Sequence, residues 1–272
     1  MQASIIISTY NSPLWLEKVL WGYSIQTIND FEIIIADDGS TEETKLMLKK
    51  INSETSLLIT HVWHKDDGFQ KTKILNKAVL ASKSDYCIFT DGDCIPRNDF
   101  VETHLKFRRE NSFLSGGHFP LSNMLSNIIL KKNILNQSCF DLKWLKSHGL
   151  ETKFKNIKLT KNKSVAELMN LVTTTKPTWN GGNSSALKSD ILAVNGFDER
   201  MKYGGEDREF GERLLNLGLK PIRVRYIAIC IHLEHDRGYV NNEDWERNDK
   251  IRKSTFNEKK IKTLYGINLH ED

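Results

Sequence analysis

Cysteine is scarce in this 272-residue sequence, and Cys87, Cys94, Cys139 and Cys230 form no CxxC pair. A disulfide framework or a zinc ribbon is therefore excluded, and a reducing, cytoplasmic setting fits best. No apolar run of membrane-spanning length exists. The first residues, MQASIIISTYN, enter a strand pattern at once without a basic region or cleavage site, so neither a membrane span nor a signal peptide is expected. A charge excess is also missing: 39 Lys and Arg against 35 Asp and Glu leave +4, with the basic residues dispersed until the tail, so nucleic acid is not an expected partner. Prolines are few, and no internal repeat is present. What remains, 39% hydrophobic and 27% charged, is the composition of a soluble globular chain long enough for one large domain.

The first hundred residues alternate short apolar runs with helical patterns. ASIIIST (3 to 9) reads as a strand; Ser12 and Pro13 then suit a helix cap and first helical position, and Leu16, Val19, Leu20 and Tyr23 recur at helical spacing. FEIIIADD (31 to 38) reads as a second strand, followed by a capping-box signature in Ser40 and Glu43. LLITHVWH (57 to 64) and DYCIFTDGD (85 to 93) read as further strands, with a helix over roughly 70 to 82 between them. Strands alternating with helices predict an α/β architecture with a mostly parallel, doubly wound sheet, whose ligands sit at the carboxyl ends of the strands. Residues 111 to 178 are expected to form a mostly helical insertion or lid. IRVRYIAICIH (222 to 232) reads as one late strand, and residues 241 to 272 as a charged helical tail, solvated except for one apolar edge. All of this is expected to form a single domain, with divisions at 1 to 110, 111 to 178, 179 to 240 and 241 to 272.

The chemistry-bearing residues fall at the predicted strand ends. FTDGDC places Asp91 and Asp93 two residues apart, with Gly92 keeping the space between them open. Carboxylates so close repel one another unless a cation or a donor-bearing group sits between them, and hard cations such as Mg²⁺ and Mn²⁺ bind in this way. In IADDGS, one of Asp37 and Asp38 can accept from a pyrimidine N–H while the other caps the turn, or both can be caps only. His232 and His235, three apart in CIHLEHDR, can ligate a metal or be ordinary polar residues. His118, in SGGHFPL, can face a diphosphate or be a strand-end polar residue, and the second reading is preferred. KYGGEDREFGERL can be a sharp turn and a well-started helix, since Gly204 and Gly205 tolerate positive φ and Glu206 and Asp207 suit the helix dipole. It can also be a site where glycines admit a ligand to two acids.

Taken together, STYN, ADDGS, GFQKTKILNKA, FTDGDCIPRNDF, WNGGNSSALKSDILAVNGFDE, KYGGEDREFGERL and HLEHDR resemble inverting glycosyltransferases of the GT-A fold: family 2 in the front half, the β-1,4-galactosyltransferases in the back half. The likeness covers about residues 3 to 110 and 179 to 250. It implies that Thr9, Tyr10, Asn11 and Asp37 line a uridine pocket, that Phe69, Lys71 and Lys73 contact the diphosphate region, and that Asp91 and Gly92 lie near the ribose or donor sugar. It implies Asp93 and His235 as metal ligands, with His232 where the galactosyltransferases carry methionine. Glu206 would hold the acceptor and Asp207 act as base. Trp179, Gly182, Tyr203, Gly204 and Gly205 would contact substrate, Tyr203 standing where the family has tryptophan.

The implied activity is transfer of a hexose or N-acetylhexosamine from a UDP-sugar, with Mn²⁺ or Mg²⁺, to a glycan or lipid-linked sugar acceptor in surface-polysaccharide assembly. The implied place is the cytoplasm, with peripheral contact at the inner membrane face. Two other readings stand beside it. A nucleotidyltransferase would also use such a sheet, although TYNSPLW is not the Gly-rich basic loop that cradles a triphosphate. The other is a non-catalytic subunit of a polysaccharide polymerase.

Overall fold

The computed structural model describes residues 1–234 and 241–270. Its strands are β1 (Ala3–Thr9), β2 (Phe31–Asp37), β3 (Ile59–Trp63), β4 (Tyr86–Asp91), β5 (Cys94–Pro96), β6 (Ser112–Ser115), β7 (Gly117–Pro120), β8 (Ser184–Leu187), β9 (Lys220–Arg223) and β10 (Ile229–His232). The α-helices of the front half are α1 (Pro13–Tyr23), α2 (Glu42–Glu54), α3 (Lys71–Ala81) and α4 (Phe100–Phe107). Short helices α5 (Asn123–Ile128), α6 (Lys131–Leu135) and α7 (Leu142–Ser147), then α8 (Lys163–Val172), lie within the expected helical insertion. After them come α9 (Lys188–Ala193), α10 (Glu206–Asn216) and α11 (Asn242–Asn257).

Seven strands form one sheet in the order β3-β2-β1-β4-β8-β6-β9. β1, β2, β3 and β4 are mutually parallel, as the strand–helix alternation predicts, and β8 inserts antiparallel between β4 and β6. The register sets Thr9 beside Asp37 and Ser8 beside Asp91, so the carboxyl ends of β1, β2 and β4 lie level. Both faces are covered. Ile5, Ile7, Ile33, Ile35 and Ile88 face one apolar layer and Ile6, Ile34 and Phe89 the other, the period-two alternation of strands buried on both sides.

The run at 222 to 232 is not one strand. β9 pairs in parallel with β6 in the large sheet; the chain then turns, Ala228 N–H donating to the Val224 carbonyl, and β10 joins a second sheet of order β5-β10-β7. Unbroken β-branched sequence does not mark a change of sheet, because both halves satisfy the same local preference. The second sheet sets His232 beside Cys94, and Cys230 beside His118. The block from 111 likewise opens with β6 and β7, and these belong to the two sheets.

The charged tail is held in two ways: beyond α11, Ile267 is 1% exposed and joins the apolar layer of Ile6, Ile34 and Phe89. α11 packs on α10 through polar residues, of which Asn248 is 1% and Thr255 3% exposed. The Asn248 amide donates to the carbonyls of Lys202 and Gly204, 2.9 Å each, and the Thr255 hydroxyl donates to Glu209 at 2.8 Å. Glu209 in turn pairs with Arg213 inside the protein, through Nε to Oε1 at 2.9 Å and Nη2 to Oε2 at 2.9 Å, and Arg213 also donates to the Val194 carbonyl. An unpartnered charge left in such a place is costly. Arg213→Met should lower unfolding free energy by about 3–5 kcal/mol in denaturant titration, and adding Glu209→Leu should recover much of that loss.

Candidate functional site

At the level ends of β1 and β2, short polar side chains tie two turns together. Asn11, held at φ +45°, donates its N–H to the Ser40 hydroxyl at 2.8 Å, and its side-chain oxygen accepts from Thr41 N–H at 2.9 Å. The expected capping box is therefore not formed: α2 begins at Glu42, and the Ser40 hydroxyl serves Asn11 instead. Asp37 is wholly buried, accepting from Ser40 N–H at 2.8 Å and pairing with His61 at 2.8 Å, so it is the carboxylate that caps the turn. Asp38 pairs with His64 and accepts from Gln70 N–H. Tyr10 is half-exposed, its hydroxyl on Asp66 at 2.8 Å. The Thr9 hydroxyl is buried without a partner among the described residues; a Cβ on Gly92 would lie 3.2 Å from it and 3.0 Å from the Ser8 carbonyl. Gly92 thus lets the acidic turn close onto the end of β1.

Beyond β4, one oxygen of Asp91 accepts from the Ser8 hydroxyl at 2.6 Å and from the Lys71 ammonium at 2.9 Å. Ligand atoms of Asp91, Asp93 and Cys94 all lie within 4.8 Å of one another. His232 Nε2 stands 3.4 Å from Asp93 Oδ2, and the His118 ring lies 4.9 Å from that of His232. His118, on β7, therefore lies beside the cluster. The buried Cys94 thiol donates to Asp93 Oδ1 at 3.3 Å, and a hydrogen bond with Cys230 together with burial raises its pKa. The carboxylates and imidazole beside it are oxygen and nitrogen groups of the kind that suit Mn²⁺ or Mg²⁺. His235, the other expected ligand, lies outside the described residues.

The GGED turn closes the site from the far side. Gly204 and Gly205 sit at φ +110° and +87°, and α10 starts at Glu206. Glu206 accepts from Gly204 N–H at 2.8 Å. Asp207 Oδ2 accepts from Gly181 N–H at 3.0 Å, while its Oδ1 is buried with no partner among the described residues. A Cβ on Gly181 would come within 2.6 Å of the Asp207 carboxylate, and one on Gly182 within 3.0 Å of Asp91. Neighbouring glycines thus form a floor on which the two acids meet. Burial and the adjacent Asp207 push Glu206 up to about 7; burial also raises Asp207, opposed by the charge of Lys71. Burial on its own would lower Lys71, but Asp91, Asp207 and Glu206 together drive it well above the ordinary lysine value.

Other expected residues divide. Phe69 and Tyr203 meet edge to face at 5.9 Å, bringing the lead-ins of α3 and α10 together. Lys73 leaves α3 about 200° around the axis from Lys71 and does not share its direction. Trp179 corrects an expectation. It is 1% exposed, with its ring 5.3 Å from Phe89 and 4.8 Å from Phe210, so it is a core residue behind the site and not a substrate contact. Its Cβ packs against Gly211 of α10, where an added Cβ would approach it to 2.6 Å. A cavity of about 570 Å³ lined by Arg97, Glu102, Lys106, Gln137 and Trp144 holds none of the expected residues. Sequence reasoning missed Gly181, whose N–H grips Asp207, although it stands in the WNGGN motif; it also missed Asn248, which a polar helix gives no means of singling out.

The profile of glycosyl transferase family 2 matches residues 4–163, and that of the N-terminal domain of galactosyltransferase matches residues 172–236. The chain belongs to glycosyl transferase family 2. The chondroitin synthase of Escherichia coli is 29% identical over 79% of this chain and 32% of its own length, and the hyaluronan synthase of Pasteurella multocida 26% identical over 94% and 27%. This glycosyltransferase thus spans about a third or less of each of those two relatives. An uncharacterized glycosyltransferase of Bacillus subtilis, YfnE, is 26% identical over 91% of the chain and 69% of its own length. Among solved structures, Staphylococcus aureus TarS 1–349 in complex with UDP-GlcNAc superposes with a TM-score of 0.63 at 16% identity, covering 93% of this chain and 65% of that one. The mannosyltransferase PcManGT of Pyrobaculum calidifontis, in complex with GDP-Man and Mn²⁺, gives 0.59 at 17%, covering 88% and 58%. The fold is GT-A. No helix among the described residues is long and apolar enough to cross a membrane.

The burial of Glu206 carries a sign that can be checked. A carboxyl whose pKa is raised on folding binds more protons in the native state than in the unfolded one between 4.5 and about 7. Its stabilising contribution is present at low pH and is lost as pH rises through that window. Relative to Glu206→Gln, the wild-type protein should lose stability from pH 4.5 to 7, read by denaturant midpoints across that range.

Proposed function

We propose that this glycosyltransferase moves a hexose or N-acetylhexosamine from a UDP-sugar to a carbohydrate acceptor with inversion at the anomeric carbon, in the assembly of a surface polysaccharide. The observation that carries the reading is the convergence of Asp91 and Asp207 on one lysine and on the neighbouring Gly181 and Gly182. One acid belongs to the donor-side turn and the other to the GGED turn, so a sugar lying between them has a leaving-group side and an attacking side. The names of the chondroitin and hyaluronan synthases support a polysaccharide product, and UDP-GlcNAc on TarS supports the donor class. Work in the cytoplasm, with peripheral contact at the inner membrane face where lipid-linked acceptors are presented, is part of the same reading.

The turns at Thr9, Tyr10 and Asn11, with Asp37 fixing their shape, hold the nucleoside, and Phe69 and Lys71 border the diphosphate. Asp93 with His232 and His235 would hold Mn²⁺ or Mg²⁺, which when bound neutralises the charge that builds on the leaving diphosphate. Asp207 takes the proton of the acceptor hydroxyl as its oxygen bonds to the anomeric carbon; the bond from that carbon to the diphosphate oxygen breaks, and UDP departs with its electron pair. Glu206, kept neutral longer than an ordinary carboxyl, donates to or accepts from acceptor hydroxyls. A single displacement of this kind turns an α-linked donor into a β-linked product.

A screen of UDP-sugars for metal-dependent hydrolysis tests the reading without an acceptor; wild type should release UDP from at least one donor with Mn²⁺ and not with chelator. On that donor Asp207→Asn should lower kcat for transfer by about 10²–10⁴-fold with UDP affinity kept, whereas Asp93→Asn should abolish the Mn²⁺-dependent part of UDP binding in calorimetry. Full turnover by Asp207→Asn would remove it as base.

Lys71 has its own signature. Its positive charge lowers the pKa of Asp207. Lys71→Met should therefore move the acid limb of the kcat/KM profile to higher pH, and Lys71→Arg should move it back toward wild type.

A further inference from the structure

Trp245 lies on the first turn of α11, a charged helix whose other large apolar residues are Ile251 and Phe256 further along, and nothing above gives it a role. It is 48% exposed. Its inner edge is fixed: a Cβ on Gly204 would come within 2.6 Å of the indole, so the ring lies directly on the backbone of the GGED turn. Asn248, one turn further along the same face, clamps that turn through the Lys202 and Gly204 carbonyls and so sets the position of the indole. Gly204 N–H is also the donor to Glu206, which places Trp245 one residue outward from the acid that faces the acceptor. Phe69, Tyr203 and Trp245 form a continuous row, with ring centroids 5.9 Å and then 6.4 Å apart.

We propose that the exposed side of Trp245 is a subsite for the second sugar of the acceptor glycan, an inference that rests on the acceptor-side reading of the GGED turn. A pyranose has one apolar face of C–H groups and a rim of hydroxyls. A rigid aromatic ring whose neighbours are polar matches both, giving an apolar contact with hydrogen-bonding groups around it. Those neighbours are the backbone of the GGED turn, on which the indole lies, and the phenol of Tyr203, whose ring centroid is 6.4 Å away. Because the indole is held by the chain backbone before any ligand arrives, little ordering cost is left for binding.

The test compares chondroitin and hyaluronan oligosaccharides, each with the methyl glycoside of its own terminal sugar, as acceptors for wild type, Trp245→Phe and Trp245→Ala. The readout is the ratio of kcat/KM for oligosaccharide to that for monosaccharide within each variant, which cancels any loss of folded enzyme. Wild type should prefer the oligosaccharide, Trp245→Ala should lose about three- to tenfold of that ratio, and Trp245→Phe should keep most of it. A wild-type enzyme that uses the oligosaccharide no better than the monosaccharide overturns the subsite, as does an alanine variant that preserves the ratio. Metal-dependent hydrolysis of UDP-sugars by the wild type separates these results from a failure of the glycosyltransfer reading, since hydrolysis involves no acceptor.

Discussion

One ammonium group holds the site together. Lys71 stands 2.9 Å from Asp91 and feels the charges of Asp207 and Glu206, three carboxyls gathered where water is scarce. Without a cation among them, such groups would be pushed apart or protonated. With it, the donor-side turn after β4 and the acceptor-side turn before α10 are drawn to one place, although 116 positions separate Asp91 from Asp207. A divalent cation reaching Asp93 and His232 would join a centre whose charge is already partly balanced, and would not need to displace Lys71 from Asp91.

Close approach is the second requirement, and glycine meets it. Gly181 and Gly182 let Asp207 and Asp91 come against one strand lead-in, and Gly92 lets the acidic turn settle on the end of β1. The GGED turn is then braced from outside by α11 through Asn248, while Trp179 and Gly211 seat α10 on the core from inside. The polar contact between α10 and α11, with its buried Glu209–Arg213 pair, demands a particular alignment of the two helices because each donor must find its acceptor. The tail is in this sense part of the site's frame.

Much of the front half was legible in the letters. β1 through β4 and the helices between them follow from apolar periodicity, and the level strand ends follow from parallel pairing. The misreadings have physical causes. Ser40 satisfies a local capping pattern but is taken by Asn11 from the turn after β1, a tertiary partner winning over a local one. Trp179 sat beside a substrate motif and was drawn toward it by proximity in sequence, yet in a strand lead-in adjacent residues face opposite ways, and this one faces the aromatic core. α11 looked solvated because its buried contacts are made by Asn and Thr, whose burial no hydropathy pattern reports.

By itself the sequence determined the α/β architecture, the acids at the strand ends, the glycine-hinged start of α10 and, through the order of its motifs, membership of glycosyl transferase family 2, because each of these rests on short-range periodicity or on a linear pattern. Only the tertiary structure decided that Lys71 joins Asp91 to the Glu206–Asp207 pair, that β10 leaves the main sheet to bring His232 to Asp93, and that Trp245 of the tail reaches Gly204. Those contacts join segments far apart in the chain, and their geometry comes from how the two sheets and their helices pack, which no local stretch of residues encodes.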